Sequence, residues 1–136
     1  MIKNINHIAI AVDDLEAGQR FWHELMGLSL DHVARVEDEG VDTAFLEAGP
    51  GGTAVELIYP FEENGVSKFL EKRGPGIHHL CFEVDDIDAM LAKLDSAEIP
   101  LINETAKVGA GGKKFAFIHP KGTGGVLVEL YELPDK

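Results

Sequence analysis

Two histidines and two glutamates carry the chemistry this chain offers, and they recur at one spacing. His7, in Ile5-Asn6-His7-Ile8-Ala9-Ile10-Ala11-Val12-Asp13-Asp14, is followed 72 positions later by His79, in Ile77-His78-His79-Leu80-Cys81-Phe82-Glu83-Val84-Asp85-Asp86. Glu56, in Ala54-Val55-Glu56-Leu57-Ile58-Tyr59, is followed 73 positions later by Glu129, in Val126-Leu127-Val128-Glu129-Leu130-Tyr131. Each glutamate interrupts an otherwise apolar run, where an unpaired carboxylate would be costly to bury and needs a cation or hydrogen bonds to compensate it. Imidazole and carboxylate together suit a divalent first-row metal, with octahedral positions left over for water or substrate. Taken singly, a strand histidine is more often a surface or hydrogen-bonded core residue, and a strand glutamate more often faces solvent. The agreement of all four on a repeat favours ligands. Alternation puts His78 on the face opposite His79. His23 and His32 read as surface residues, His119 as a turn residue before Pro120, and Cys81 as a small buried thiol on the face of His79.

The elements that must hold these four residues repeat as well. Residues 2–12 alternate as a strand, with His7, Ala9 and Ala11 on one face and Ile8, Ile10 and Val12 on the other. Asp13 or Asp14 caps a helix with an inward stripe of Leu15, Gly18, Phe21, Trp22 and Leu25, and Gly27 stops it. Residues 28–37 and 41–48 form a hairpin around Asp38-Glu39-Gly40, Gly49-Pro50-Gly51-Gly52 turns, and 54–59 is a further strand. Residues 61–76 connect, with a short helix over 66–72. The second half repeats the plan: a strand over 77–84, a helix capped by Asp85 or Asp86 with Ile87, Met90, Leu91 and Leu94 inward, a short strand Leu101-Ile102, and strands 114–119 and 126–132. Both halves are therefore β-α-β-β-β, an α+β chain of one domain over residues 1–136, with module one at about 1–60, the connector at 61–76 and module two at about 77–136.

With 24 acidic against 12 basic residues the net charge is −12, which disfavours a general nucleic-acid-binding role. One cysteine rules out an internal disulfide framework. The N-terminus does not read as a signal peptide and no stretch is long enough to span a membrane, so a cytoplasmic protein is expected.

The paired modules with His, Glu, His and Glu resemble the vicinal oxygen chelate superfamily. Within it, the chain is similar to the methylmalonyl-CoA epimerase family along nearly its whole length. The segments that carry the likeness are 6–12, 76–87, Lys107-Val108-Gly109-Ala110-Gly111-Gly112-Lys113 and, most specifically, Phe117-Ile118-His119-Pro120-Lys121-Gly122-Thr123-Gly124-Gly125-Val126-Leu127-Val128-Glu129-Leu130. The resemblance implies a glyoxalase-like incomplete barrel around a metal cavity. It implies one divalent ion per chain held by His7, Glu56, His79 and Glu129, cobalt foremost, with manganese, nickel, zinc or magnesium possible. It also implies a homodimer, a role in propionate metabolism, and interconversion of (R)- and (S)-methylmalonyl-CoA by α-proton abstraction and return through a metal-stabilised enolate. Some members place a second catalytic Glu where this chain has Thr43, which cannot act as a carboxylate base.

The catalytic reading gives Glu129 one face of the substrate carbon and Glu56 the other, with Glu47 a weaker candidate. For the CoA tail, the interval between Glu104 and Glu129 holds no acid but holds Lys107, Lys113, Lys114 and Lys121 beside two glycine-rich turns, a local positive patch in which Lys121 stands first. Such loops are also commonly lysine- and glycine-rich without binding anything. Three alternatives sit on the same fold: glyoxalase I (lactoylglutathione lyase), which the His-Glu-His-Glu set would fit and the Phe-Ile-His-Pro-Lys ending opposes; a metal-free small-molecule binding module, which retention of all four ligands disfavours; and an Fe(II) dioxygenase, in which Glu56 would close one of three needed positions.

Overall fold

The computed structural model describes residues 1–135. It is a mixed α+β structure whose elements run β1 (Ile2–Ala11), α1 (Leu15–Gln19), β2 (Ser29–Val36), β3 (Val41–Glu47), β4 (Ala54–Pro60), α2 (Gly65–Arg73), β5 (Gly76–Val84), α3 (Ile87–Ser96), β6 (Lys107–Val108), β7 (Lys114–Ile118) and β8 (Leu127–Glu132). Two compact units emerge. Module one runs from His7 to His78; module two comprises residues 1–6 and the chain from His79 onward.

In module one the strand order is β2-β3-β4-β1. The β1–β4 pair is parallel, with Ala9 opposite Glu56, and β2–β3 and β3–β4 are antiparallel, with Phe45 opposite Glu56. Alternation sends Ala44, Leu46 and Leu57 to one face, where they pack with Val12 and take Leu15 and Trp22 from the helical segment. Asp14 caps α1 by accepting the Ala17 N–H at 3.0 Å. The helix then widens into a π-helical segment over Arg20–Leu25, with the Met26 N–H donating to the Phe21 carbonyl at 2.8 Å. This corrects the expected inward stripe. The extra residue per turn rotates the later side chains off the apolar line, so Leu15, Gly18 and Trp22 stay on or near the sheet while Phe21 and Leu25 are 48% and 76% exposed. Gly18 is where the helix comes closest: a Cβ there would meet Leu57 Cδ1 at 3.0 Å.

The connector belongs to module one. Asn64 caps α2 through a reciprocal pair of bonds with Ser67, and Val66, Phe69 and Leu70 cover Ala9, Ala11 and Ile58 on the second face of the sheet. At the hairpin, Arg35 grips Asp42 with two bonds of 2.7 and 3.1 Å and lies 4.1 Å over the Phe61 ring. The guanidinium holds the Asp42 carboxyl below the usual carboxylate range.

In module two the order is β5-β8-β7-β6, with β5–β8 parallel and β7–β8 and β6–β7 antiparallel. Here the helix is regular. Asp86 caps α3 on the Ala89 N–H at 3.0 Å, and Ile87 and Leu91, with Met90 and Leu94, pack on Val84, Ala116, Ile118 and Leu130 as the spacing predicts. The expected strand at Leu101-Ile102 reduces to a single bridge from Leu101 to Ile118. The Asn103 side chain takes the Phe117 N–H at 2.8 Å, removing the donor that a continuing ladder needs, and the outer strand forms instead at Lys107–Val108. The first residues of the chain sit beside the end of β5: Lys3 pairs with Glu83 at 3.3 Å, and the Asp85 N–H donates to the Met1 carbonyl at 3.2 Å.

Candidate functional site

The face of each sheet opposite α1 or α3 carries the polar residues. In module one the period of two puts His7, Ala9 and Ala11 on that face of β1 with Glu56 and Ile58 of β4. His7 stands opposite Ala54, so Glu56 is its diagonal neighbour, within reach of a long side chain. The His7 Nε2 lies 3.5 Å from a Glu56 carboxylate oxygen, both residues buried. Ala9 and Ala11 are fully buried and too small to compete for the space.

Module two repeats the diagonal. His79 stands opposite Leu127, two residues before Glu129, and its Nε2 lies 3.2 Å from a Glu129 oxygen. Both side chains are buried. Phe117 stands opposite Glu129 and presents its edge to the His79 ring at 5.7 Å. Cys81, also opposite Glu129, takes the place Ala9 holds in module one and is fully buried.

These separations suit metal ligation. Two ligand atoms at right angles on one ion, each about 2.1 Å from it, are roughly 3 Å apart. A charge-assisted N–H···O bond would draw them to about 2.7–2.9 Å. Each pair therefore fits neighbouring coordination positions at least as well as an ion pair.

The other sequence candidates fall elsewhere. Thr43 is fully buried, and its hydroxyl donates to the Ala34 carbonyl at 3.0 Å. Glu47 is exposed. His78 meets the edge of Phe69 at 5.1 Å; His32 stacks on Phe45 and pairs with Asp31; His23 Nδ1 is 2.6 Å from the Leu28 carbonyl oxygen; and His119 Nδ1 accepts the Lys121 N–H. Lys107 and Lys121 are exposed. Lys114 is drawn to the helix-covered face by Asp88 at 3.4 Å and Glu132 at 4.0 Å, so carboxylates from distant sequence interrupt the positive patch read from the loop. Lys113 is half-buried, donates to the Tyr131 hydroxyl at 3.1 Å and lies 4.2 Å over the Tyr131 ring. Tyr131 is a residue the sequence reading passed over. Its signal was simple alternation, since it shares a face of β8 with Glu129. Among the described residues no helix is long and apolar enough to cross a membrane.

Comparison with known proteins bears on this geometry. The family model described as the Glyoxalase/Bleomycin resistance protein/Dioxygenase superfamily matches residues 6–117. The mitochondrial methylmalonyl-CoA epimerase of Mus musculus is 39% identical over 128 residues, covering 93% of this chain and 71% of that protein. The crystal structure of methylmalonyl-CoA epimerase from Mycobacterium tuberculosis superimposes with a TM-score of 0.87 at 40% identity, covering 98% of this chain and 90% of that one. A variant of the Streptomyces coelicolor epimerase in complex with 2-nitronate-propionyl-CoA gives 0.85 at 32%, covering 98% and 96%. The fold is thus glyoxalase-like, and the chain belongs to the methylmalonyl-CoA epimerase family of the glyoxalase/bleomycin resistance protein/dioxygenase superfamily.

Proposed function

We propose that this chain is a metal-dependent epimerase that interconverts (R)- and (S)-methylmalonyl-CoA, working as one vicinal oxygen chelate domain over residues 1–136. His7, Glu56, His79 and Glu129 would hold a single divalent ion. The observation that carries the reading is the repeated pair, a buried imidazole beside a buried carboxylate at 3.5 Å in one module and at 3.2 Å in the other. Family membership supports the substrate class, since the similar proteins are named for this reaction or are bound to a CoA thioester.

When bound, the ion supplies positive charge against which negative charge on a substrate carbonyl oxygen can develop. The remaining work falls to the chain. The reacting carbon lies between a carboxylate and a thioester, and inversion requires a proton to leave one face and return to the other. Glu129 serves one face as base and acid in turn, and Glu56 serves the other. Thr43 cannot take that role, because a hydroxyl already committed to a carbonyl has neither the basicity nor the freedom. His7 and His79 would hold the ion beside the carboxylates, and the edge of Phe117 packs on the His79 ring. A cytoplasmic setting and a homodimer belong to the same reading, the homodimer on the family resemblance alone.

The test is α-proton exchange. Purified protein incubated with methylmalonyl-CoA in deuterated water should wash deuterium into the α position, and a chelator should stop the exchange until cobalt or manganese is restored. Exchange that ignores the chelator, or that survives both Glu129→Gln and Glu56→Gln, would overturn the assignment.

A further inference from the structure

Lys113 is an ammonium held in place without a carboxylate. Among the described residues it makes no ion pair, in a protein whose acids outnumber its bases two to one. Instead Nζ donates to the Tyr131 hydroxyl at 3.1 Å and rests over that ring at 4.2 Å, with the Phe115 ring at 5.9 Å. An aromatic face and a phenol fix the direction of a flexible side chain while leaving its charge uncompensated and two of its three N–H donors unassigned. The fixed charge has a meaningful address. Tyr131 and Glu129 lie two residues apart on one face of β8, about 7 Å along the strand.

Resting on the epimerase reading above, we propose that Lys113 binds the free carboxylate of the substrate and that Tyr131 is its positioning residue. The phosphates of CoA are a weaker match, since the whole pantetheine arm separates them from the carbon on which Glu129 acts. The carboxylate is one bond from that carbon. Lys113 would thereby set the specificity of the site, favouring acyl-CoA thioesters that carry a second, anionic carbonyl group over simple ones such as propionyl-CoA.

The experiment uses the metal-loaded protein and four variants, Lys113→Met, Lys113→Arg, Tyr131→Phe and Lys121→Met, each checked for an unchanged melting temperature. Epimerisation by the wild type is measured first; its absence would sink the epimerase reading itself. Given a working enzyme, Lys113→Met should raise KM for methylmalonyl-CoA roughly ten- to a hundredfold, the worth of a charge-assisted hydrogen bond, with kcat changed less than about threefold. Propionyl-CoA inhibition should not change. Lys113→Arg should recover part of the loss, and Tyr131→Phe should raise KM by a smaller factor in the same direction. The loss should persist with methylmalonyl-pantetheine, which lacks the nucleotide and its phosphates. A KM unmoved by Lys113→Met, an equal weakening of propionyl-CoA, or a loss that vanishes with the pantetheine substrate or is matched by Lys121→Met would overturn the proposal.

Discussion

The two modules place the same His–Glu diagonal on different supports. In module one the neighbour opposite the glutamate is Ala9; in module two it is Cys81. Thr43 stands in module one where Phe115 stands 72 positions later. One covering helix slips into a π-helical segment that strands Phe21 and Leu25 in solvent, while the other stays regular and buries Leu91 at its centre. The copies keep a histidine on the first strand and a glutamate on the last, one diagonal apart, with a phenylalanine opposite that glutamate and an aspartate cap on the helix. Packing has drifted around that pair, as expected when a core needs only apolar volume but a ligand set needs particular atoms in particular places.

If the pairs also divide the labour, substitution should separate them. Glu129→Gln should reduce turnover by about a hundredfold to ten-thousandfold, the range for losing a positioned acid–base, measured as deuterium exchange. Glu56→Gln should cost less, about ten- to a hundredfold, because its diagonal is the looser of the two. Equal losses would make the modules catalytically equivalent and erase the distinction.

The helices give the next contrast. Leu91→Ala opens a cavity in a filled core and should destabilise by about 2–5 kcal/mol in denaturant titration. Leu25→Ala, at a mostly exposed position, should stay within about 0.5 kcal/mol. A large loss at Leu25 would mean that this surface is covered in solution.

Metal removal tests the proposed ion. With free metal at a hundred times its dissociation constant, binding adds about 2.7 kcal/mol to stability, so chelation should lower the melting temperature. His7→Ala and His79→Ala should each abolish that metal-dependent shift. A shift that disappears in only one of them would assign the ion to one module.

The smallest effect belongs to the hairpin of module one. Arg35 lowers the Asp42 carboxyl in the folded protein, so the pair's contribution is present above the ordinary, unfolded carboxylate pKa and is lost as pH falls through the folded one. Asp42→Asn should remove a slight acid-side slope from the pH–stability curve and leave neutral behaviour nearly unchanged, since the pair is exposed to solvent.

Much of this was legible beforehand for a physical reason. Strand alternation, aspartate caps and glycine stops are local, so β1, α3, the hairpin and the turn at residues 49–52 could be read directly. The four candidate ligands were visible because duplication printed them twice. Longer-range competition hid the rest. Nothing near Leu101 announces that Asn103 will occupy the Phe117 N–H, and nothing in Leu15–Leu25 signals an extra residue in one turn. The positive patch is interrupted at Lys114, because Asp88 and Glu132 reach that residue from outside the loop. Tyr131 was missed because aromatic residues at strand ends are common, and its lysine lies eighteen positions away.

The opening residues of the chain belong with its closing half, through Lys3 to Glu83 and Met1 to Asp85. During synthesis residues 2–6 must therefore wait until β5 has been translated. Module two should accordingly be the slower to form, and an initial strand left open in the meantime is where newly made chains would stick to one another.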